Sequence, residues 1–121
     1  MKLDPKSLPL EVIHGLQGGE GDFNNYTFNN GQCKIMFISI EPGTYSGLHT
    51  HKYNCEMCYI LEGKLEGYYD GNYDEPELLG PGDFHYCPMG HSHSLKNVGD
   101  TTARFIGIVP EHCLEKPVYE E

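Results

Sequence analysis

Apolar and β-branched residues along this chain come in short runs cut by turn residues, with no sustained pattern at helical spacing. The clearest run is Cys33–Ile40 (CKIMFISI), which Glu41-Pro42-Gly43 ends. Cys55–Leu61 follows, and Glu62-Gly63-Lys64 turns it into Leu65–Tyr69. After the turn Asp70-Gly71-Asn72 come Glu77–Leu79, closed by Gly80-Pro81-Gly82-Asp83, and Phe84–Cys87, closed by Pro88-Met89-Gly90. His93–Asn97 and Ala103–Val109 are predicted as the last two strands. Before Cys33 the pattern weakens: Glu11–Gly15 reads as a strand, Gly18–Gly31 as a polar loop, and Lys6–Leu10 as a single helical turn. Short strands at this spacing predict an all-β sandwich or barrel. Alternation along Cys55–Leu61 puts Glu56, Cys58 and Ile60 on the inward face, with Met57, Tyr59 and Leu61 facing the other way.

A chain of 121 residues is expected to form one domain, spanning 1–121. Its 15 Gly, 8 Pro and 9 Tyr suit many short strands joined by tight turns. The net charge of −10, with Arg104 the single arginine, lacks the cationic track that a phosphate backbone or an anionic membrane surface requires. Neither nucleic acid nor a membrane is therefore an expected partner. No stretch approaches the ~20 apolar residues of a bilayer span, and the N-terminus has no apolar run of a signal peptide, so the expected location is cytoplasmic. The five cysteines match no zinc-ribbon or finger spacing. Cys55 and Cys58 have C-x-x-C spacing, but a redox pair of that kind opens a helix, whereas Asn-Cys-Glu-Met-Cys-Tyr-Ile-Leu reads as strand. Free, mostly buried thiols are the expectation. The tail after Pro110 (EHCLEKPVYEE) would pack across a barrel edge or a partner subunit, or fray.

Histidine placement changes the picture from fold to chemistry. His49 and His51 are two residues apart, so on a strand both rings share a face and can reach one cation. Glu56, five residues on, offers a charged oxygen ligand. A second cluster, Gly82, Pro88, Gly90, His93 and Asn97, can bring His93 to the same point from another strand. His85 is expected as a packed or surface residue, and His14 and His112 carry no expectation.

On these residues the sequence resembles the cupin superfamily. Gly43, His49, His51, Glu56 and Gly63 meet every spacing of the first cupin motif, G-x5-HxH-x4-E-x6-G. Gly82, Pro88, Gly90, His93 and Asn97 meet every spacing of the second, G-x5-PxG-x2-H-x3-N. The motifs span Gly43–Gly63 and Gly82–Asn97, and the short stretch between them resembles that of small single-domain bacterial members. The resemblance implies a conical double-stranded β-helix, a jelly-roll-like barrel that is usually dimeric, with one metal held by His49, His51, Glu56 and His93. Glycines and Pro88 fall on turn positions, and Asn97 reads as a turn or strand-end residue. Three imidazoles and a carboxylate suit one divalent Fe, Mn, Ni, Zn, Co or Cu ion with positions left open. The implied function is a metal-dependent enzyme on a small oxygenated metabolite, of isomerase or lyase type in preference to dioxygenase type. The alternative is a non-catalytic module that binds or senses a small ligand. His91, Tyr45 and Cys58 are the candidates for further roles beside the metal, with Cys58 also readable as a small apolar core residue.

Overall fold

The computed structural model describes residues 1–110; the tail expectation, with His112 and Cys113, lies outside the described residues. The strands are β1 (Leu10–His14), β2 (Asp22–Asn29), β3 (Cys33–Ile40), β4 (His49–Thr50), β5 (Glu56–Glu62), β6 (Leu65–Gly67), β7 (Glu77–Leu79), β8 (Phe84–Cys87), β9 (Ser92–His93), β10 (Leu95–Asn97) and β11 (Ala103–Pro110). Six of them form one wall in the order β1-β2-β3-β11-β5-β8, three form a smaller wall, β10-β6-β7, and β4 pairs with β9. Each pairing is antiparallel, and β11 sits between β3 and β5 although it comes last among the described residues. The fold is all-β, as the strand pattern predicts.

Alternation sorts the large wall into two faces. Met36, Ile38 and Ile40 of β3, Ala103 and Phe105 of β11, and Cys58 and Ile60 of β5 point inward and meet Leu65, Leu79 and Leu95 from the small wall in one buried cluster. Enclosing each large aliphatic side chain is worth roughly 1.5–3 kcal/mol, which gives this shared core its hold on both walls. The inward positions Glu56, Cys58 and Ile60 agree with the sequence alternation, since all three are buried while Met57 and Tyr59 are only half-buried and Leu61 is exposed. The opposite face is also apolar. Register carries one row through Leu10, Tyr26, Phe37, Ile106, Tyr59 and Phe84, and a second through Phe28, Ile35, Ile108, Met57 and Tyr86.

The structure corrects several expected boundaries. Gly18–Gly31 is not a polar loop: Asp22–Asn29 is β2, paired with β3 from Asn24 to Asn29. Asn25 holds an inward position beside Phe23, so polar composition concealed the period-2 pattern; its Nδ2 lies 3.7 Å from Met36 Sδ. The expected strand Leu65–Tyr69 stops at Gly67, and Tyr69–Gly71 forms a 3-10 turn with Asp70 at φ +54°. The expected strand His93–Asn97 breaks at Ser94 into β9 and β10, which belong to different sheets. The N-terminal helical turn lies at Pro5–Ser7, earlier than Lys6–Leu10, because the Asp4 side chain caps it by accepting from the Lys6 N–H and Leu10 already begins β1.

Two turns of the motifs require glycine for different reasons. Gly63, at φ +95°, turns β5 into β6, and a Cβ there would stand 2.7 Å from Ala103 Cα. Gly82, at φ +93°, leads into β8 while its N–H donates to the Ile60 carbonyl at 2.9 Å. Asn97 is a structural tie: fully buried, it donates from Nδ2 to the carbonyls of Ile40 (3.0 Å) and Thr101 (2.9 Å) and accepts from the Gly99 N–H.

Candidate metal centre

Four side chains meet where β4, β9 and β5 approach one another. His49 and His93 are direct cross-strand partners in the β4–β9 pair. His51 lies one residue past β4, where backbone bonds continue the pairing: its N–H donates to the His91 carbonyl at 3.0 Å and its carbonyl accepts from the Gly90 N–H at 2.7 Å. Glu56 opens β5. The Nε2 of His93 lies 3.0 Å from that of His51 and 3.1 Å from that of His49. Glu56 Oε1 lies 2.9 Å from His93 Nε2 and 3.4 Å from His51 Nε2. One ligand atom from each residue falls within 4.8 Å of all the others. The structure thus brings together all four residues that the sequence placed in one cluster. His49 and His51 also line an open depression of about 580 Å³, with Thr50, Lys52, Tyr53 and Asn54.

The outer nitrogens decide which way the inner ones face. His49 Nδ1 lies 2.8 Å from the Gly47 carbonyl oxygen, which can only accept, so this nitrogen carries the proton of the neutral ring. His51 Nδ1 is held in the same way by Asn54 Oδ1 at 2.9 Å. His93 Nδ1 lies 2.9 Å from His85 Nε2, and His85 Nδ1 in turn lies 2.6 Å from Glu77 Oε1. With the Nδ1 atoms of His49 and His51 donating outward, the Nε2 lone pairs of their neutral rings face His93 Nε2 and the Glu56 carboxylate. Such a set of donors repels itself unless a cation or shared protons fill it, which is the donor chemistry of a mixed N/O metal site. The four residues therefore fit the divalent ion that the cupin resemblance implies.

Electrostatics agree with that geometry. Burial alone pushes the Glu56 carboxyl up, but once His51 and His93 are protonated their hydrogen bonds and charge outweigh it and bring the group down to about 2. Burial lowers His49, whereas the bond to Glu56 raises His51. Space for the Glu56 carboxylate comes from Gly107 on β11, where a Cβ would stand 3.2 Å from Glu56 Oε2. Burial, and then the neighbouring Glu56 charge, push the Cys58 thiol well above its ordinary range, and they push Cys87 up to about 12.

The remaining candidates lie around this cluster. Cys58 is buried in the wall two residues along β5 from Glu56. It sits in strand, with no helix at the C-x-x-C segment, and its own thiol is free. His91 sits on the turn before β9; its Nδ1 lies 2.9 Å from Asp70 Oδ2 and 3.0 Å from the Tyr69 hydroxyl, and its ring stacks on Tyr69. Tyr45 bridges Glu20 and Lys96 and lines a separate groove of about 290 Å³ with Tyr68, Tyr73 and Lys96. Sequence reasoning left out the holders of the imidazoles: Gly47, Asn54, His85 and Glu77. His85 was legible in part, because on Phe84–Cys87 it shares a face with Cys87, and it is the cross-strand partner of inward-facing Cys58.

Comparison with known proteins gives the geometry a family context. The profile of the Cupin domain matches residues 36–109, which include all four convergent residues. The oxalate-binding protein of Thermotoga maritima is 30% identical over 106 residues, covering 82% of this chain and 84% of that protein. Germin-like protein subfamily T member 3 of Arabidopsis thaliana is 34% identical over 76 residues, covering 61% of this chain; the chain spans about a third of it (34%). Among solved structures, one described as a predicted oxalate decarboxylase from Thermotoga maritima aligns with a TM-score of 0.83 at 24% identity, over 92% of this chain and 99% of that one. A sugar phosphate isomerase from Silicibacter pomeroyi aligns with a TM-score of 0.74 at 23% identity, over 92% of this chain and 76% of that one. At those identities the two structures speak to the fold. No helix among the described residues is long and apolar enough to cross a membrane.

Proposed function

The chain belongs to the cupin family, and on that footing we propose that it is a metal-dependent enzyme acting on a small oxygenated metabolite, with His49, His51, Glu56 and His93 as ligands of one divalent ion. The observation that carries this reading is the convergence of three Nε2 atoms and one carboxylate beside an open depression. A bound Fe, Mn, Ni, Zn, Co or Cu ion with open positions supplies Lewis-acid polarisation of a carbonyl or enediol. The chain's own residues do the rest. Lys52 on the rim of the depression offers a cation to a substrate carboxylate. His91, whose Nδ1–H is held by Asp70, keeps Nε2 as a proton acceptor on the same turn that bonds His51, and it is the proposed base. Cys58 serves as a small neutral part of the wall, and Tyr45 shapes the neighbouring groove.

Isomerase or lyase chemistry is preferred to dioxygenase chemistry because Cys58 and Cys87 stand beside Glu56, Cys87 as its direct cross-strand partner, and thiols there would be oxidation targets of an oxygen-activating metal. The metal-loaded protein would be assayed with oxalate, sugar acids, hydroxy acids, thiols and diketones under an oxygen electrode. Turnover without oxygen uptake supports the reading, and oxygen uptake with any of them overturns the preference. The name of the Thermotoga maritima oxalate-binding protein favours a second reading, a non-catalytic small-ligand module. It predicts saturable oxalate binding in calorimetry and no turnover of any compound in the series.

We propose further that residues 1–121 form a single cupin domain that works as a homodimer in the cytoplasm. The two apolar rows on the outer face of the large wall support dimerisation, since they end in Leu10, Phe84 and Tyr86, each more than half exposed (52%, 63% and 52%). A second copy's sheet packs on such a face at ~10 Å. The free thiols of Cys33, Cys58 and Cys87 support a reducing compartment.

A further inference from the structure

His85 is a polar ring with no exposed side-chain surface, and both its nitrogens are bonded. Three strands assemble its surroundings: β8 carries His85, β7 carries Glu77 and β9 carries His93. The His85 and His93 rings are nearly parallel, 4° apart with centroids at 5.1 Å. A fourth strand, β6, supplies space through Gly67, the cross-strand partner of Glu77. A Cβ at Gly67 would stand 2.9 Å from His85 Nδ1 and 3.2 Å from Glu77 Oε1. Gly67 is not among the glycines of positive φ, so the backbone does not demand glycine there; the histidine–glutamate pair does.

We propose that His85, braced by Glu77 in the space that Gly67 leaves, is a positioning residue that holds His93 with Nδ1 protonated and the Nε2 lone pair turned to Glu56 and the other imidazoles. The Glu77 carboxylate only accepts, so His85 Nδ1 donates to it. In the proposed arrangement His85 Nε2 accepts from His93 Nδ1 across 2.9 Å, which leaves His93 Nε2 without a proton. A histidine ligand fixed in ring plane and tautomer binds without first sorting between two protonation isomers, and a carboxylate behind it raises its basicity. Glu77 is 44% exposed, so the relay starts at the surface and ends at the cluster. The consequence for metal affinity rests on the reading of the four residues as metal ligands; the tautomer of His93 does not.

The test uses nitrogen NMR of the histidine rings in the metal-free protein, together with cobalt(II) affinity measured by competition with a chelator, on the wild type, His85→Leu, His85→Gln and Glu77→Ala. Expected is a wild-type His93 protonated at Nδ1 alone. His85→Leu should lose that preference and bind cobalt ~10–100-fold more weakly. His85→Gln, whose amide oxygen can accept from His93 Nδ1, should restore both readouts in large part, which a purely space-filling role would not. Glu77→Ala leaves the buried ring in place and carries the same comparison if His85→Leu does not fold by circular dichroism. A wild-type His93 protonated at Nε2, or a folded His85→Leu or Glu77→Ala with unchanged tautomer and cobalt affinity, would overturn the proposal. Wild-type protein that takes up no cobalt but shows His93 protonated at Nδ1 alone would sink the metal reading and leave the positioning role standing.

Discussion

His49 and His93 face each other across the β4–β9 pair with their Nε2 atoms 3.1 Å apart, and each Nδ1 is bonded behind, to the Gly47 carbonyl for His49 and to His85 Nε2 for His93. Two lone pairs at that distance are unfavourable unless something positive lies between them. The same holds for His51, whose Nε2 is 3.0 Å from that of His93. The short β4–β9 pair thus carries an electrostatic cost that a bound cation would convert into cross-linking between β4, β9 and β5.

Metal should therefore stabilise the fold. Titrating cobalt(II) or zinc(II) into chelator-treated protein is expected to raise its melting temperature, by an amount corresponding to about 2.7 kcal/mol at a hundredfold excess over Kd, and the chelator should reverse the shift. A melting temperature that does not respond would count against a preformed site.

Gly47→Ala should damage both fold and site. A Cβ at Gly47 would stand 1.9 Å from the Gln17 carbonyl oxygen, while the Gly47 carbonyl holds His49 Nδ1. Displacing that backbone should cost about 1–3 kcal/mol in urea unfolding and weaken cobalt binding in the folded fraction. Unchanged values in both experiments would show that the close approach is not needed.

Acid should act through Glu56. Its carboxyl lies at about 2 in the folded chain against an ordinary value of 4.5, so the ionised form favours folding. A depressed value gives stability that is complete above pH 4.5 and lost as the pH falls towards about 2. Metal-free wild type should lose on the order of 2–3 kcal/mol more than Glu56→Gln across that window. Parallel acid-unfolding profiles for the two proteins would refute the coupling to His51 and His93.

Dimerisation through the outer face predicts that Phe84→Glu is monomeric in light scattering while its circular dichroism is unchanged. Phe84 is 63% exposed and ends a row of cross-strand partners through Tyr59, Ile106 and Phe37, so a charge there disrupts a packed sheet face and spares the core. A wild type that is itself monomeric would remove the basis of this prediction.

The convergent residues were legible in the sequence because the two motifs fix residue type and spacing together: His49, His51 and Glu56 are near in the chain, and His93 lies in a second motif of set length. Strands rich in apolar and β-branched residues, such as Cys33–Ile40 and Ala103–Val109, were legible for the same local reason. β2 was not, because Asn25 occupies an inward position where pattern reading looks for an apolar residue. His85 and Glu77 escaped as well, since their meeting depends on three strands and on the absence of a side chain at Gly67, and none of these is adjacent in sequence. Glycine within a strand was the available signal: Gly67 and Gly107 each leave room for a charged or polar group of the cluster, at Glu77–His85 and at Glu56.

The central claim is that His49, His51, Glu56 and His93 together hold one metal. Elemental analysis of protein purified from its own host without added metal, beside His51→Ala and Glu56→Ala prepared identically, tests it most directly. The account predicts near-stoichiometric transition metal in the wild type and a sharp loss in both variants. Wild-type metal content retained in both variants would contradict it.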